Sequence, residues 1–561
     1  MELLERVAFW REHISCEENK ELDRVLENAD ELKSRFATDL QFGTAGMRGV
    51  MGVGTNRLNR YTVRRAAQGM AAWLSTTNLP QKAAIGYDSR HNSQLFAQVC
   101  AVAFADAGIQ TYLFDRLAPT PMLSYAVRKL GCGCGIVISA SHNSGEYNGV
   151  KCYGPDGCQM TDEPAAVVTR RISEIPYFVP ETKDFESYLK DGIISYIDEN
   201  LWEAYYQVVL GESVNPQVIS KADLNVVYTP LCGTGNEPVR EVLGRLGVNV
   251  NVVDCQEKPD GDFKTCEYPN PETDAALKES YRVAREVPCD FILGTDPDCD
   301  RVAIAVPQGD GFRKLSGNEL GCVLIDYILS AMSDKKSIPQ DAIVVRSIVS
   351  SPLADCIAKH YGVTMKAVLT GFKYIGGEIL KLEEKGEENK FIFGFEESCG
   401  YLKGTYARDK DAVVASMLVC ELAATLKQKG KTILDALNEI YNTYGYYLAN
   451  VKSLELSGAD AMEKAAKLMS DLRNSPPKSI AGAMVTEIRD YQAQTSNCVA
   501  TGVMMEIKLP KSNVLEYVLD GAGSVIVRPS GTEPKVKFYY TAVGSDVESA
   551  KQLLDAMAEE I

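Results

Sequence analysis

One pattern recurs three times along the chain: a β-branched strand, a polar loop, an amphipathic helix, a glycine, then another strand. The first copy has a strand at 83–87, a helix from near Ser93 to Ala107, Gly108, and a strand at 110–114. The second has 224–229, a helix from about Asn236, Gly247, and 249–253. The third has 342–347, a helix over 351–361, Gly362, and 364–369. Strands alternating with helices build parallel α/β units, and a glycine past the last turn is the usual helix stop. Three copies read as three related α/β domains; one large open sheet is the alternative.

The tail after about Tyr446 has no fourth copy. It reads as a helix over 459–473, strand-like pieces at 503–509 and 524–527, and a last helix from about Asp546. The expected fold class is therefore α/β, with three related mixed-sheet domains and a smaller C-terminal α+β domain. Boundaries are expected at 1–210, 211–315, 316–440 and 441–561. A chain of 561 residues is too long for one core, which agrees with several domains.

Charge and cysteine usage narrow the partners. A net charge of -17 repels nucleic acid and anionic membranes, so neither is expected as a partner. A phosphate ligand would need local Arg and Lys. The 16 cysteines form no Cys-x-x-Cys pair and no zinc spacing. Residues 1–13 are charged, without an apolar signal core. The longest apolar run, 412–426, is interrupted by Glu421. Free thiols in a reducing cytoplasm are the expectation.

Four loops carry unusual chemistry. Ser139-Ala140-Ser141-His142-Asn143-Ser144-Gly145 follows the apolar strand 135–138. A hydroxyl just past a parallel strand sits where α/β folds bind ligands. No Gly-x-Ser-x-Gly elbow is present. A Ser/Asn-rich turn that satisfies its own backbone is the plain alternative.

Gly294-Thr295-Asp296-Pro297-Asp298-Cys299-Asp300-Arg301 follows the strand 290–293. Three carboxylates at alternating positions repel one another unless a cation offsets them. Oxygen ligands suit a hard ion, Mg²⁺ before Ca²⁺. An EF-hand is excluded, because Arg301 and Pro307 fall where it requires glycine and glutamate. A phosphatase with Asp296 as nucleophile is a rival, and a solvated acidic turn is the plain alternative.

Gly394-Phe395-Glu396-Glu397-Ser398-Cys399-Gly400 follows 391–393 and offers carboxylates and a hydroxyl to sugar hydroxyls. Lys373, Arg408 and Lys410 add positive charge in that stretch. Arg528-Pro529-Ser530-Gly531-Thr532-Glu533-Pro534-Lys535 follows 524–527 and has the makings of a phosphate cradle, though not of a P-loop. Solvated glutamates and a Pro/Gly turn are the respective alternatives. Near the start, Phe42-Gly43-Thr44-Ala45-Gly46-Met47-Arg48-Gly49 places Arg48 among glycines.

Together and in this order, these loops resemble the α-D-phosphohexomutase superfamily of phosphoglucomutases and phosphomannomutases. The resemblance runs from Phe42 to the last helix. The Phe42–Gly49 string, Thr370-Gly371-Phe372-Lys373 and Gly-Phe-Glu-Glu-Ser-Cys-Gly-Tyr look most like the phosphoglucomutase and phosphopentomutase branch. The resemblance implies an isomerase, an intramolecular phosphotransferase whose four domains surround a central active-site cleft. It implies that Ser141 is the phosphorylated serine. Asp296, Asp298 and Asp300 would hold one Mg²⁺ per chain, with a phosphoserine oxygen completing the site. Arg48, His142 and Lys151 would lie near the transfer site, and Lys410 would be the general base. Arg301 and Lys373 join the substrate-binding set, as does Arg408. Glu396 and Ser398 would hold sugar hydroxyls; Arg528, Ser530, Gly531 and Thr532 would cradle the non-transferring phosphate.

Ser139 and Ser144 replace the Thr and Pro frequent in the family's serine loop, a change expected to alter only loop stiffness. Gly400 stands where phosphomannomutase-like members carry histidine, which weakens a mannose assignment. The expected reaction interconverts the 1- and 6-phosphates of a hexose, glucose first, with glucose 1,6-bisphosphate as intermediate and activator. Alternatives are a phosphopentomutase, a sugar-1,6-bisphosphate synthase, a magnesium phosphatase and a non-catalytic sugar-phosphate sensor. Small sugar phosphates are the expected partners; monomer and dimer stay open.

Overall fold

The computed structural model describes residues 2–43, 46–456, 461–530 and 535–560. The described strands lie in four separate sheets, so the single open sheet is set aside. Contacts group the chain into two compact units. One comprises Met1–Leu315, Gly376–Phe391 and Cys399–Gln428; the other comprises Ser316–Ile375, Ile392–Ser398 and Lys429–Ile561.

The first unit opens on three helices, Leu3–His13, Cys16–Leu26 and Ala29–Phe36. Ser15 caps the second by accepting from the Glu18 amide, and Glu18 returns the bond to the Ser15 amide. Such a capping box is worth about 1 kcal/mol. Val7, Trp10, Ile14, Leu22, Val25, Leu32 and Phe36 form one core with Val53 of the following loop.

The first sheet is centred on Lys82–Tyr87, with Gln110–Leu113 and Cys134–Ile138 parallel on either side. Tyr147–Tyr153 and then Gly46–Val50 add antiparallel strands beyond Cys134–Ile138. The second sheet repeats the plan. Asn225–Thr229 lies between Asn249–Val252 and Phe291–Thr295, all parallel. Val302–Gln308 and Gly311–Lys314 then return antiparallel. Both are mixed sheets. Cys134–Ile138 and Phe291–Thr295 are buried at every position. A strand covered on both faces has no reason to alternate, hence the continuous apolar runs in the sequence.

The helix Ala412–Lys427 is apolar nearly all round because it is an interior helix of this unit. Glu421, which interrupts its apolar run, is buried there. It accepts from the amides of Val214 and Asn215 at 3.1 and 2.7 Å and from the Ser213 hydroxyl. Among the described residues no helix is long and apolar enough to cross a membrane.

In the second unit, Thr364–Val368 runs parallel to Ile343–Ser347, and Phe391–Glu396 flanks Ile343–Ser347 on its other side. The C-terminal part is an antiparallel sheet ordered Tyr446–Glu455, Lys535–Gly544, Gly523–Pro529, Leu515–Leu519, Ala483–Asp490, Thr495–Cys498, Met504–Glu506. The helices Ala461–Asn474 and Val547–Glu560 pack on it around Met469, Leu554 and Met557, which makes this part α+β. The three glycines that close the repeated helices, Gly108, Gly247 and Gly362, have φ of 73°, 83° and 69°. A side chain resists that left-handed geometry, so glycine ends each helix and turns the chain into its next strand.

Candidate active site

The chemistry-bearing loops all begin where a strand ends, and the two units hold different members of the set. In the first unit, Ser141 follows the buried strand Cys134–Ile138. Its backbone is left-handed, φ 53°, and only 2% of the residue is exposed. A non-glycine residue there costs about 1–2 kcal/mol. The loop holds it by local bonds. The Ser141 amide donates to Ser139 Oγ at 2.8 Å. The hydroxyl donates to Asp296 Oδ2 at 2.8 Å and lies 3.2 Å from His142 Nδ1. Burial holds the His142 imidazole well below its ordinary range, with Arg301 and Arg48 adding to the effect, so the ring is neutral.

The acidic loop is a tight reversal between Phe291–Thr295 and Val302–Gln308. Asp296 Oδ1 accepts from the amides of Asp300 and Arg301 at 3.1 and 3.0 Å. Cys299, buried with φ 53°, makes the bend. Thr120 steadies the loop through its hydroxyl to Asp298 Oδ2, 2.9 Å, and its amide to the Asp298 carbonyl, 2.9 Å. One oxygen from each of Asp296, Asp298 and Asp300 lies within 4.8 Å of the other two, and all three residues are buried.

Two lysines face the triad. Lys151, from Tyr147–Tyr153, donates to Asp298 Oδ2 at 2.5 Å and Asp300 Oδ2 at 3.1 Å. Lys410 Nζ lies 2.9 Å from Asp409 Oδ1 and 3.2 Å from Asp300 Oδ2. Burial pulls the Lys151 pKa down, but Asp298 and Asp300 outweigh it and raise the pKa overall. Burial pushes Asp298 up, yet Lys151 overcomes that and holds it low. Asp296 moves well upward, from burial and from the charges on Asp300 and Asp298.

This donor set fits a hard divalent cation. Asp298 Oδ1 and Asp300 Oδ1 are buried without hydrogen-bond partners among the described residues. Buried carboxylate oxygens left unpaired are costly, and an all-oxygen cluster is what Mg²⁺ takes.

Gly400 has a steric role here. A Cβ added to it would lie 2.1 Å from Lys410 Cδ and 2.7 Å from its Cγ. The lysine takes up the space that a side chain at 400 would need. Asp409, beside Lys410, accepts from the Tyr153 hydroxyl at 2.8 Å and from Gln159 Nε2 at 3.2 Å. Arg48 stands exposed on the edge strand Gly46–Val50, and its Nη1 donates to Asn143 Oδ1 at 2.9 Å. Gly46 lets that strand pair closely, since its Cβ would fall 1.8 Å from the Val150 carbonyl oxygen. Arg301 donates to Glu272 Oε1 at 3.1 Å.

Arg408, expected from the sequence among the substrate-binding residues, lies in the same stretch as Lys410. It is 1% exposed, pairs with Glu383 at 2.8 Å, and donates to the carbonyls of Thr405 and Ala407. Those bonds tie the side chain to its own loop and to the end of the helix Phe372–Glu383.

The second unit carries the remaining residues. Glu396 is buried at the end of Phe391–Glu396 and accepts from the Gly371 amide at 2.7 Å. Glu397 accepts from Ser347 Oγ at 3.0 Å. Ser398 is half-buried. Lys373 Nζ lies 5.1 Å from the Tyr374 ring centre. Arg528, near the end of Gly523–Pro529, sits beside Tyr539. Burial and the Glu397 charge push the Tyr539 phenol up to about 12, while Arg528 opposes the shift. The Ser530 amide donates to the Lys535 carbonyl at 2.8 Å. Gly531 and Thr532 lie outside the described residues.

Sequence reasoning missed Thr120, Asp409 and Arg90. Arg90 is 3% exposed and donates to the carbonyls of Ser141 at 2.7 Å, Ser144 at 2.7 Å, Tyr147 at 3.0 Å and Asn143. Its only sequence signal is position, since Asp88-Ser89-Arg90 also follows a parallel strand.

Family profiles match along the chain: phosphoglucomutase/phosphomannomutase alpha/beta/alpha domain I over 39–177, domain II over 203–309, domain III over 316–444, and the C-terminal domain over 473–560. Fold and profiles define an isomerase of the intramolecular phosphotransferase class. The chain is 37% identical over 533 residues to a phosphoglucomutase of Staphylococcus aureus, covering 94% of each. It shares its fold with pp63/parafusin, a phosphoglucomutase from Paramecium (TM-score 0.69, 17% identity, 94% of each chain). It also shares it with a phosphoglucomutase/phosphomannomutase family protein from Burkholderia thailandensis (TM-score 0.65, 16% identity, 92% of this chain and 96% of that one). The chain belongs to the phosphoglucomutase/phosphomannomutase family.

Proposed function

We propose that this enzyme interconverts the 1-phosphate and 6-phosphate of a hexose, glucose first. The phosphoryl group is relayed by Ser141 and the sugar passes through a 1,6-bisphosphate. The observation that carries this reading is the Ser141 hydroxyl 2.8 Å from Asp296 within a buried acidic triad. The Staphylococcus aureus relative named a phosphoglucomutase favours glucose.

In this scheme phosphorylated Ser141 gives its phosphoryl group to a free sugar hydroxyl, whose proton passes to Lys410 once the lysine has lost its own proton to solvent. The bisphosphate turns over, and its other phosphoryl group returns to Ser141 Oγ. Asp296, Asp298 and Asp300, with the serine-borne oxygen, would hold one Mg²⁺, which when bound offsets negative charge on the transferring group. Lys151 adds fixed positive charge beside that group, and Arg48 is near enough to the serine loop to do the same. Neutral His142 orients the serine oxygen. Glu396 and Ser398 bind sugar hydroxyls, and Arg528 to Thr532 grips the phosphate that stays in place. Positioning and charge stabilisation supply most of the acceleration in phosphoryl transfer.

The phosphatase alternative is disfavoured by Asp296 itself. Both its oxygens are engaged, Oδ1 by two loop amides and Oδ2 by Ser141. Among the described residues the sixteen cysteines form no disulfide, which suits a reducing cytoplasm.

A coupled assay across glucose, mannose, ribose and deoxyribose 1-phosphates tests the substrate, run with and without glucose 1,6-bisphosphate. Glucose 1-phosphate should give the highest kcat/KM, and the bisphosphate should abolish the lag. A clear pentose preference would overturn the hexose assignment. Net bisphosphate production without isomerisation would favour the synthase.

A further inference from the structure

The serine loop is built around a single buried guanidinium. Arg90 reaches three of its carbonyls, those of Ser141, Asn143 and Ser144, and that of Tyr147 at the start of the following strand. The first of these belongs to the residue with left-handed φ, whose side chain points at Asp296. A lysine has no planar fork and cannot serve four acceptors in fixed directions. Asp88 anchors the arginine from below. Its Oδ1 accepts from the Arg90 amide at 3.0 Å and from Ser93 Oγ at 2.8 Å, and its Oδ2 lies 3.4 Å from Arg90 Nε. Neither the Asp88 nor the Arg90 side chain is exposed.

The other face of Arg90 is covered by the neighbouring domain. The Phe263 ring centre lies 5.0 Å from Arg90 Cζ, and Phe263 is 2% exposed with φ 47°. The same turn approaches the serine loop without room for side chains. A Cβ on Gly145 would lie 2.6 Å from the Gly261 carbonyl oxygen, and one on Gly261 would lie 2.8 Å from the His91 amide nitrogen. Asp262 Oδ1 meets His91 Nε2 at 2.6 Å. The domain that carries the acidic triad thus also presses on the residue that shapes the serine loop.

We propose that Arg90 is a positioning residue for phosphoryl transfer, and that the turn holding Phe263 locks it in place. Arg90 fixes the Ser141 backbone so that its hydroxyl meets the acidic triad, and the second domain supplies both the triad and the lock. This rests on Ser141 being the phosphoryl relay. It adds a dependence that none of the four signature loops contains.

The test uses Arg90→Lys and Phe263→Leu in the full chain, with Ser141→Ala as a control. Each variant is checked for its thermal midpoint and then for kcat, KM and the rate of Ser141 phosphorylation by glucose 1,6-bisphosphate, followed by intact mass. Misplacing a reacting group by about 1 Å costs on the order of 100-fold, so Arg90→Lys should lose about that factor in kcat and in phosphorylation rate. KM should stay within about threefold, because the substrate contacts are untouched. Phe263→Leu, which keeps apolar bulk, should show the same split at about a tenth of that size.

If Arg90→Lys does not fold, Phe263→Leu decides. A folded variant with wild-type kcat and phosphorylation rate, or one whose loss is all in KM, overturns the positioning role. Full activity in Ser141→Ala would instead overturn the relay reading on which it stands.

Discussion

The Ser141 hydroxyl donates to Asp296 Oδ2 across 2.8 Å, which ties the loop after Cys134–Ile138 to the loop after Phe291–Thr295. The proposed nucleophile and the acidic triad therefore share a hydrogen bond. Three buried carboxylates at such spacing are tolerated because Lys151 and Lys410 neutralise part of the charge.

Asp298 Oδ1 and Asp300 Oδ1 accept no hydrogen bond among the described residues, so a cation that fits them should stabilise the fold. Saturating Mg²⁺ at about 100 times its dissociation constant should add about 2.7 kcal/mol. Scanning fluorimetry with EDTA and then excess Mg²⁺ checks this. A rise in melting temperature is expected for the wild type and not for Asp298→Asn. Equal melting temperatures with and without Mg²⁺ would contradict the metal assignment.

Gly400 and Lys410 compete for one space. Gly400→Ala should displace the lysine and lower kcat about tenfold or more, on the general scale of acid–base catalysis. Lys410→Ala should lose at least as much. The double variant should be little worse than Lys410→Ala, since residues in contact are not additive. Independent, multiplying losses would show that the lysine is not the group disturbed.

Glu383 gives the acid limb. Hydrogen bonds from Arg128, reinforced by Arg408, hold its carboxyl down at about 2 against an ordinary 4.5. A depressed carboxyl stabilises the fold above the unfolded-state value and loses that contribution as pH falls from 4.5 towards 2. The group is partly exposed, so the effect is about 1 kcal/mol or less. Urea titrations should find Glu383→Gln less stable than wild type near neutrality, with the difference shrinking at about pH 3. A difference that grows on acidification would have the wrong sign.

Trp10 tests the N-terminal helices. It is 1% exposed and meets Phe36, Tyr61, Tyr177 and Phe178 edge-on. Trp10→Ala should cost about 3–5 kcal/mol in chemical denaturation. A loss below about 1 kcal/mol would show that these helices stand apart from the first domain's stability.

Much of this was legible in the residues because parallel α/β units announce themselves. Apolar strand runs, and the glycines at 108, 247 and 362 with positive φ, mark the repeats. The acidic triad was legible because clustered charge is costly and therefore conspicuous. Arg90 was not, since one arginine after a strand looks like any solvated side chain until four carbonyls are seen around it. The pairing of Arg408 with Glu383 was also hidden, since the two are distant in sequence and the arginine is buried. The N-terminal helices escaped notice because each is short and carries only two buried residues amid charge. The grouping of Gly376–Phe391 and Cys399–Gln428 with the first unit was equally hidden, since it depends on contacts distant in sequence.

The phosphoryl relay at Ser141 is tested most directly by mass. Exposure to glucose 1,6-bisphosphate should add about 80 Da to the wild-type chain, mapped by peptide sequencing to Ser141 and discharged by glucose 1-phosphate. Ser141→Ala should gain no mass and lose activity by about a thousandfold or more. An unmodified Ser141 during turnover, or a Ser141→Ala enzyme interconverting glucose 1- and 6-phosphates at the wild-type rate, would contradict it.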